Sequence, residues 1–340
     1  MQSFWTTGRK FVPAFAAAFV LAAPASAGDF SFSGKMFADI SQITQHDELA
    51  KTRSTATDAD LKRLYLDANY VIDPAWSVDV TADVNWLRGK RDPDVWLKHA
   101  YVQRKFAKST WRVGVDDMPL LALTSKWYGY RYIDSLGASM QKLDTVADWG
   151  VHVNGLLAPR LDYAVAVVSG GSYKYPTHGQ RADVEAVMTW HTSKHTMLAL
   201  GGYDGQLAAS DDRRPVYHTA RRVDVMAAYA DDTWRLGVRR TYGSNWANVY
   251  SVDSDRASVW SAWASVRFAP QWSVFARFDR SRPSTLAHPS KNATFADGGI
   301  EWQPVKRLRL ALALKRTASL VNDQETKVSN EAGIWTQLVF

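Results

Sequence analysis

The sequence predicts an all-β chain: a transmembrane antiparallel β-barrel of about sixteen strands. Three observations carry that expectation. From Phe30 onward the residues alternate apolar and polar with a period of two, the repeat of a strand and not of a helix. Short turns and longer polar connections alternate along the chain, as in a barrel whose turns face one side of a membrane and whose loops face the other. The chain also carries 15 Trp, 14 Tyr and 13 Phe at a mean hydropathy of only −0.28. That combination suits strands of which one face meets lipid.

Residues 1–27 read as a cleaved secretory signal, leaving 28–340 as a single barrel domain. Arg9 and Lys10 precede the apolar stretch Phe11 to Ala23, and Ala25-Ser26-Ala27 is an A-x-A cleavage site. The apolar stretch is shorter than the roughly 20 residues of a spanning helix. Cleavage removes two cations and no acid, so the formal charge falls from +7 to +5. That mild basic bias favours anionic solutes weakly, and the interspersed acids and bases give no footprint for nucleic acid. Cysteine is absent, which excludes a disulfide framework and thiolate metal sites. A closed barrel is held instead by inter-strand hydrogen bonds.

The clearest strand is Trp76 to Trp86. Trp76, Val78, Val80, Ala82, Val84 and Trp86 fall on one face, and Ser77, Asp79, Thr81, Asp83 and Asn85 on the other. Trp at both ends of the apolar face matches the two membrane interfaces. Its partner places Leu64, Leu66, Ala68, Tyr70 and Ile72 outward, joined through the turn Asp73-Pro74-Ala75. Continued in this way, the pattern gives strands near 30–41, 61–72, 76–86, 95–106, 110–116, 147–157, 160–168, 183–191, 196–204, 219–230, 233–241, 257–268, 271–279, 294–302, 306–316 and 330–340. Merging or splitting one hairpin would give 14 or 18. Long polar loops are expected at 42–60, 87–94, 116–146, 169–182, 205–218, 242–256, 280–293 and 317–328.

A barrel of this size leaves an aqueous lumen. Alternation assigns the cations Lys35, Arg63, Arg222, Arg235, Arg239, Arg267, Arg277, Arg309 and Lys315 to it. The same rule turns Asp39, Asp67, Asp79, Asp83, Asp183, Glu185, Asp224, Asp279 and Asp297 inward. The later strands lean cationic and the earlier ones acidic. Either this makes a transverse field that orients dipolar solutes, or the charges only keep the lumen wet. The longest connection, Asp116 to Thr145, carries Asp116, Asp117, Lys126, Tyr130, Arg131 and Tyr132. Folded into the bore it would form a constriction, with Arg131 as its cation. The other reading is an outside loop packing its aromatics on its neighbours.

Several segments carry a resemblance. Val113-Gly114-Val115-Asp116-Asp117-Met118-Pro119, Tyr130-Arg131-Tyr132 and Ala147-Asp148-Trp149-Gly150-Val151 form one group. Ser169 to Lys174, Phe275 to Asp279 and Gly299 to Pro304 fit the same pattern. Together they resemble Gram-negative outer-membrane porins related to the phosphate-selective O/P type. The ending Ile334 to Phe340 is similar to outer-membrane barrels, in which the last residue is read by the assembly machinery. The resemblance implies a sixteen-stranded homotrimeric pore in outer-membrane lipid, passing small hydrophilic solutes or ions without a cofactor. Phosphate selectivity does not carry over, because the inward cations are matched by acids and the long loop has no lysine cluster. A weak anion bias is the expectation.

Two other classes remain. A barrel enzyme would use a rim histidine. His152, Asn154 and Asp148 share an inward face, but no Ser stands at a diagnostic spacing, and His191 and His195 flank a turn. A non-conducting adhesin or receptor is the second. Conductance in a bilayer separates either from a pore.

Overall fold

The computed structural model describes residues 28–209, 215–246 and 248–340. The expected signal segment 1–27 lies outside the described residues. Sixteen strands close into one antiparallel barrel in which every strand pairs with its sequence neighbours and the last with the first. They are β1 (Asp29–Asp47), β2 (Thr52–Val71), β3 (Trp76–Trp86), β4 (Asp94–Lys105), β5 (Ser109–Asp117), β6 (Ala147–Ala158), β7 (Leu161–Gly170) and β8 (His178–His191). The second half comprises β9 (Thr196–Gly205), β10 (Ala220–Ala230), β11 (Trp234–Ser244), β12 (Arg256–Ala269), β13 (Trp272–Arg282), β14 (Lys291–Val305), β15 (Leu308–Val321) and β16 (Gln324–Val339). Two helices, α1 (Pro119–Tyr128) and α2 (Gly137–Met140), lie in the connection between β5 and β6.

Within the wall the strands form because their alternation satisfies two solvents at once. In β13, Trp272, Val274, Ala276 and Phe278 are exposed on the outer wall, while Ser273, Phe275, Arg277 and Asp279 are buried inside. Exposed Trp76, Trp111, Trp190, Trp234, Trp272 and Trp302 ring the end of the barrel that carries the short turns. Trp86, Trp149 and Trp260 stand toward the opposite, loop end. Indole belts of this kind mark the two interfaces of a bilayer.

Closure is sealed at the last residue. The Phe340 amide donates to the Gly34 carbonyl at 3.0 Å and the Gly34 amide donates to the Phe340 carbonyl at 2.8 Å. The Phe340 ring lies where a Cβ on residue 34 would sit, 2.3 Å from its nearest carbon. A larger residue at 34 would have to displace the Phe340 ring.

Two expected loops are mostly strand. The segment 42–60 runs as hairpin ladder up to Asp47↔Thr52, leaving only residues 48–51 as the turn. Its alternation is invisible because both faces are wet: Thr44 faces Thr55 at 3.3 Å and the Gln42 amide reaches Thr57. The segment 317–328 likewise pairs down to Val321↔Gln324. Asn322 and Asp323 make that turn with φ of 52° and 59°, the left-handed pair of a tight hairpin. Asp116 and Asp117, expected in the long loop, belong to β5 and pair with Asp148 and Ala147. Their carboxylates find partners on the wall, Arg112 at 3.3 Å and Lys98 at 2.7 Å, so the ladder continues through them.

Candidate functional site: the lumen and its inner loop

The connection 118–146 does not stand outside the barrel. It starts with Met118 in extended backbone and Pro119 at the first helical position, where a missing N–H removes nothing. It ends α1 at Gly129, in the left-handed region at φ 77°. A side chain there would also meet the Arg235 guanidinium at 2.9 Å, so two constraints converge on glycine. Beyond it the chain crosses the lumen and docks on strands far from its own.

The docking is polar and dense. At the start of α1, the Leu120 amide donates to Glu185 of β8 at 2.8 Å. Arg235 of β11 donates to the carbonyls of Lys126 and Trp127 at 3.0 and 2.9 Å. Arg309 of β15 donates to the Gly129 carbonyl at 2.7 Å and lies over the rings of Tyr130 and Tyr132. The Tyr132 hydroxyl donates to Glu301 of β14 at 2.6 Å. Arg277 of β13 donates to the Tyr128 hydroxyl at 3.1 Å, and Lys315 of β15 to Asp134 at 3.2 Å. On the far side, Lys62 of β2 reaches the Ile133 carbonyl at 3.2 Å.

At its return the loop presents Asp144 to two arginines. Arg239 donates to both its oxygens at 3.0 and 2.8 Å, and Arg222 stands at 3.3 Å. Asp224 bridges the same arginines, at 2.7 Å to Arg222 and 2.8 Å to Arg239, and Glu185 also binds Arg222. Burial alone would raise the Asp144 carboxyl. Arg239 and then Arg222 outweigh it and hold it at about 2. A buried cation or carboxylate is tolerable only when paired in this way.

The sequence-selected residues thus divide into two sets. Arg222, Arg239, Arg277 and Arg309 point inward as alternation predicts, but their charge is neutralised by acids and by the loop. They hold the loop; Arg222, Arg239 and Arg277 are buried, while Arg309 also borders the cavity at the turn end. Tyr130 and Tyr132 are buried as well: Tyr130 stacks on Phe275 at 4.6 Å between ring centres and on Tyr132 at 6.2 Å. Asp83 is buried beneath Arg63 at 3.4 Å and the Tyr173 hydroxyl at 2.6 Å.

Lys35, Arg131, Asp117 and Arg267 border open space instead. A cavity of about 310 Å³ lies against the β1–β5 wall and is lined by Lys35, Asp67, Lys98, His99, Asp117 and Arg131. Asp79 sits beside it, with its carboxylate 3.7 Å from His99, and Asp116 lies 3.9 Å from the same ring. A second cavity of about 320 Å³ opens at the turn end and is lined by Arg235, Arg267, Glu301, Lys306 and Arg309. Gly129 and Gln337 line both. Lys126 is separate from both, exposed near Asn154 and Asp162. Among the described residues Lys35, Arg131, Arg235 and Arg267 have no ion-pair partner; Arg131 is held only by its 3.2 Å bond to Ser125.

Alternation could not place the lumen cations Lys62 and Lys98, and the reason is local. The register shifts at Phe37/Ala38, where Lys62 is the extra residue, and at Thr81/Ala82, where Lys98 is. Each bulge turns a second consecutive polar side chain inward. Lys98 then sits 4.9 Å over the Tyr65 ring and 2.7 Å from Asp117. The signal was present as the polar doublets Lys62-Arg63 and Lys98-His99 inside otherwise alternating strands. The early wall is therefore not simply acidic.

Fold and site together define a sixteen-stranded transmembrane barrel with a loop folded into its lumen. No protein-family profile matches the chain, and no curated protein does. Solved structures of the same fold are outer-membrane proteins. The outer-membrane channel DcaP of Acinetobacter baumannii superposes with a TM-score of 0.67 at 14% identity, over 93% of this chain and 99% of that one. The anion-selective porin of Comamonas acidovorans gives 0.66 at 9% identity, over 92% and 100%. Salmonella typhi OmpF, solved with daunomycin, gives 0.63 at 11% identity, over 92% and 98%. At such identities the likeness is one of fold.

Proposed function

We propose that the chain is an outer-membrane porin: a passive diffusion pore for small hydrophilic solutes or ions, with a weak anion bias. The observation that carries this reading is the pair of polar cavities meeting at Gly129 and Gln337. They run beside the inner loop and are bordered by the unpaired cations Lys35, Arg131, Arg235 and Arg267. The loop acts as the constriction and Arg131 as its exposed cation, while Tyr130 and Tyr132 hold the loop to the wall. No chemical step is required, since solutes move down their own gradient. The anion-selective character named for the Comamonas protein is consistent with this bias. In this reading residues 1–27 direct export, the barrel sits in outer-membrane lipid with its turns at the periplasm, Phe340 is presented to the assembly machinery, and three copies associate.

The test is single-channel recording of the refolded chain 28–340 in a planar bilayer, with the reversal potential taken across a KCl gradient. Stable open steps with mild anion preference are expected. A correctly folded barrel that passes no current would overturn the reading in favour of a receptor or adhesin.

A further inference from the structure

The outer wall carries a feature that conduction does not use. Five arginines face outward near the loop end of β10–β13: Arg221, Arg240, Arg256, Arg280 and Arg282. Arg240, Trp260 and Arg280 are direct cross-strand neighbours in one row. The Arg240 guanidinium lies 4.3 Å from the Tyr242 ring centre and 5.1 Å from that of Trp260, and its Nε has no hydrogen-bond partner. Arg282 follows two residues beyond Arg280 on the same face. The acids nearby are exposed: Asp323 stands 3.5 Å from Arg280, and Asp204 is 3.0 Å from Arg221.

Immediately below this row, toward the middle of the wall, lies an apolar trough of about 560 Å³ on the same strands. Ala227, Val238, Ala262 and Phe278 form its first cross-strand row, one step below the arginines. Leu236, Ala264 and Ala276 form the next. Small residues in the middle and large ones at the edges shape the groove.

We propose that Arg240, Arg280 and Arg282, with the trough beneath them, bind one phosphorylated lipid of the outer leaflet. The guanidinium groups hold headgroup phosphate through paired N–H donors, and the trough takes an acyl chain. Charge complementarity selects this occupant over a second copy packed by two-fold symmetry, which would set these cations against themselves. Strand spacing of about 4.8 Å puts Arg240 and Arg280 roughly 10 Å apart, within reach of one large headgroup. The inference rests on the reading that the loop end faces the outer leaflet.

The experiment uses the refolded barrel in detergent, with retained lipid counted by native mass spectrometry and conductance recorded on the same preparations. The probes are diphosphorylated lipid A and the same lipid without phosphates. Wild type should retain one diphosphorylated lipid and none of the phosphate-free form. The triple variant R240Q/R280Q/R282Q should lose at least ten-fold in retention while its conductance stays unchanged. Equal retention by the variant overturns the proposal. So does equal retention of both lipids, displacement by millimolar inorganic phosphate alone, or a trough covered by a second subunit with no lipid bound. Conductance without lipid retention sinks this inference and spares the pore; retention without conductance does the reverse.

Discussion

Individual side chains in the lumen do one of two jobs, and the neighbours of each decide which. Arg131 has open space before it and a single bond to Ser125. Arg131→Glu should therefore move the reversal potential toward cation preference and leave the urea unfolding midpoint unchanged; an unmoved potential would take the loop out of the conduction path. Asp144 is the opposite case. It is shared by Arg222 and Arg239, and Asp144→Ala removes the loop's carboxylate while both guanidinium groups keep Asp224 and Arg222 keeps Glu185. Losing such charge-assisted bonds costs about 1.5–3 kcal/mol, read as a lower urea midpoint and as noisy, enlarged conductance from a loosened loop. The pH dependence follows from the same site. The Asp144 carboxyl is depressed from 3.8 to about 2 by these arginines against the effect of burial. Its contribution is thus complete above about pH 4 and lost as pH falls through 2. Single-channel current should stay quiet from pH 7 to pH 4, with loop noise appearing only below pH 3.

Strands and loops obey different levels of the code. A strand with one wet and one lipid face advertises itself, and β3 has the bounds Trp76–Trp86 that its alternation gives. Val80 lies on its outer face, so Val80→Arg should reduce stability by about 2–4 kcal/mol, measured by urea titration in lipid vesicles. Unchanged stability would mean that this face does not meet hydrocarbon. The extended hairpins of β1–β2 and β15–β16 were illegible because a strand wet on both faces has no hydrophobic contrast. The bulges at Lys62 and Lys98 escaped for a related reason: period-two reading has no place for an inserted residue, although the polar doublets mark both. Inside the loop, Pro119 and Gly129 bracket α1 as helix punctuation does. The destination of that helix, against β8 and β11, depends on acceptors and donors more than a hundred residues away in the case of Arg235.

For the whole molecule, paired and unpaired charge set the field that a solute meets. Most inward arginines of the later strands are cancelled locally, so the bias rests on a few free cations beside open water. Such a field is screened by salt, with a Debye length of about 10 Å at 0.1 M and 3 Å at 1 M. Anion preference should therefore be larger at 0.1 M KCl than at 1 M; a ratio independent of salt would point to size exclusion instead. The barrel is legible from the residues alone: alternation, aromatic ends and alternating connection lengths are local properties, and closure follows once every strand has an apolar outer face and polar edges to pair. The sequence also placed most of the luminal ionisable groups, and offered 116–146 as a loop that either enters the bore or packs outside it. Which of those groups remain charged and exposed was decided only by the tertiary structure. Ion pairing depends on a few ångströms between residues such as Asp144 and Arg239, or Asp134 and Lys315, and the closed wall and the folded loop bring those together across the bore.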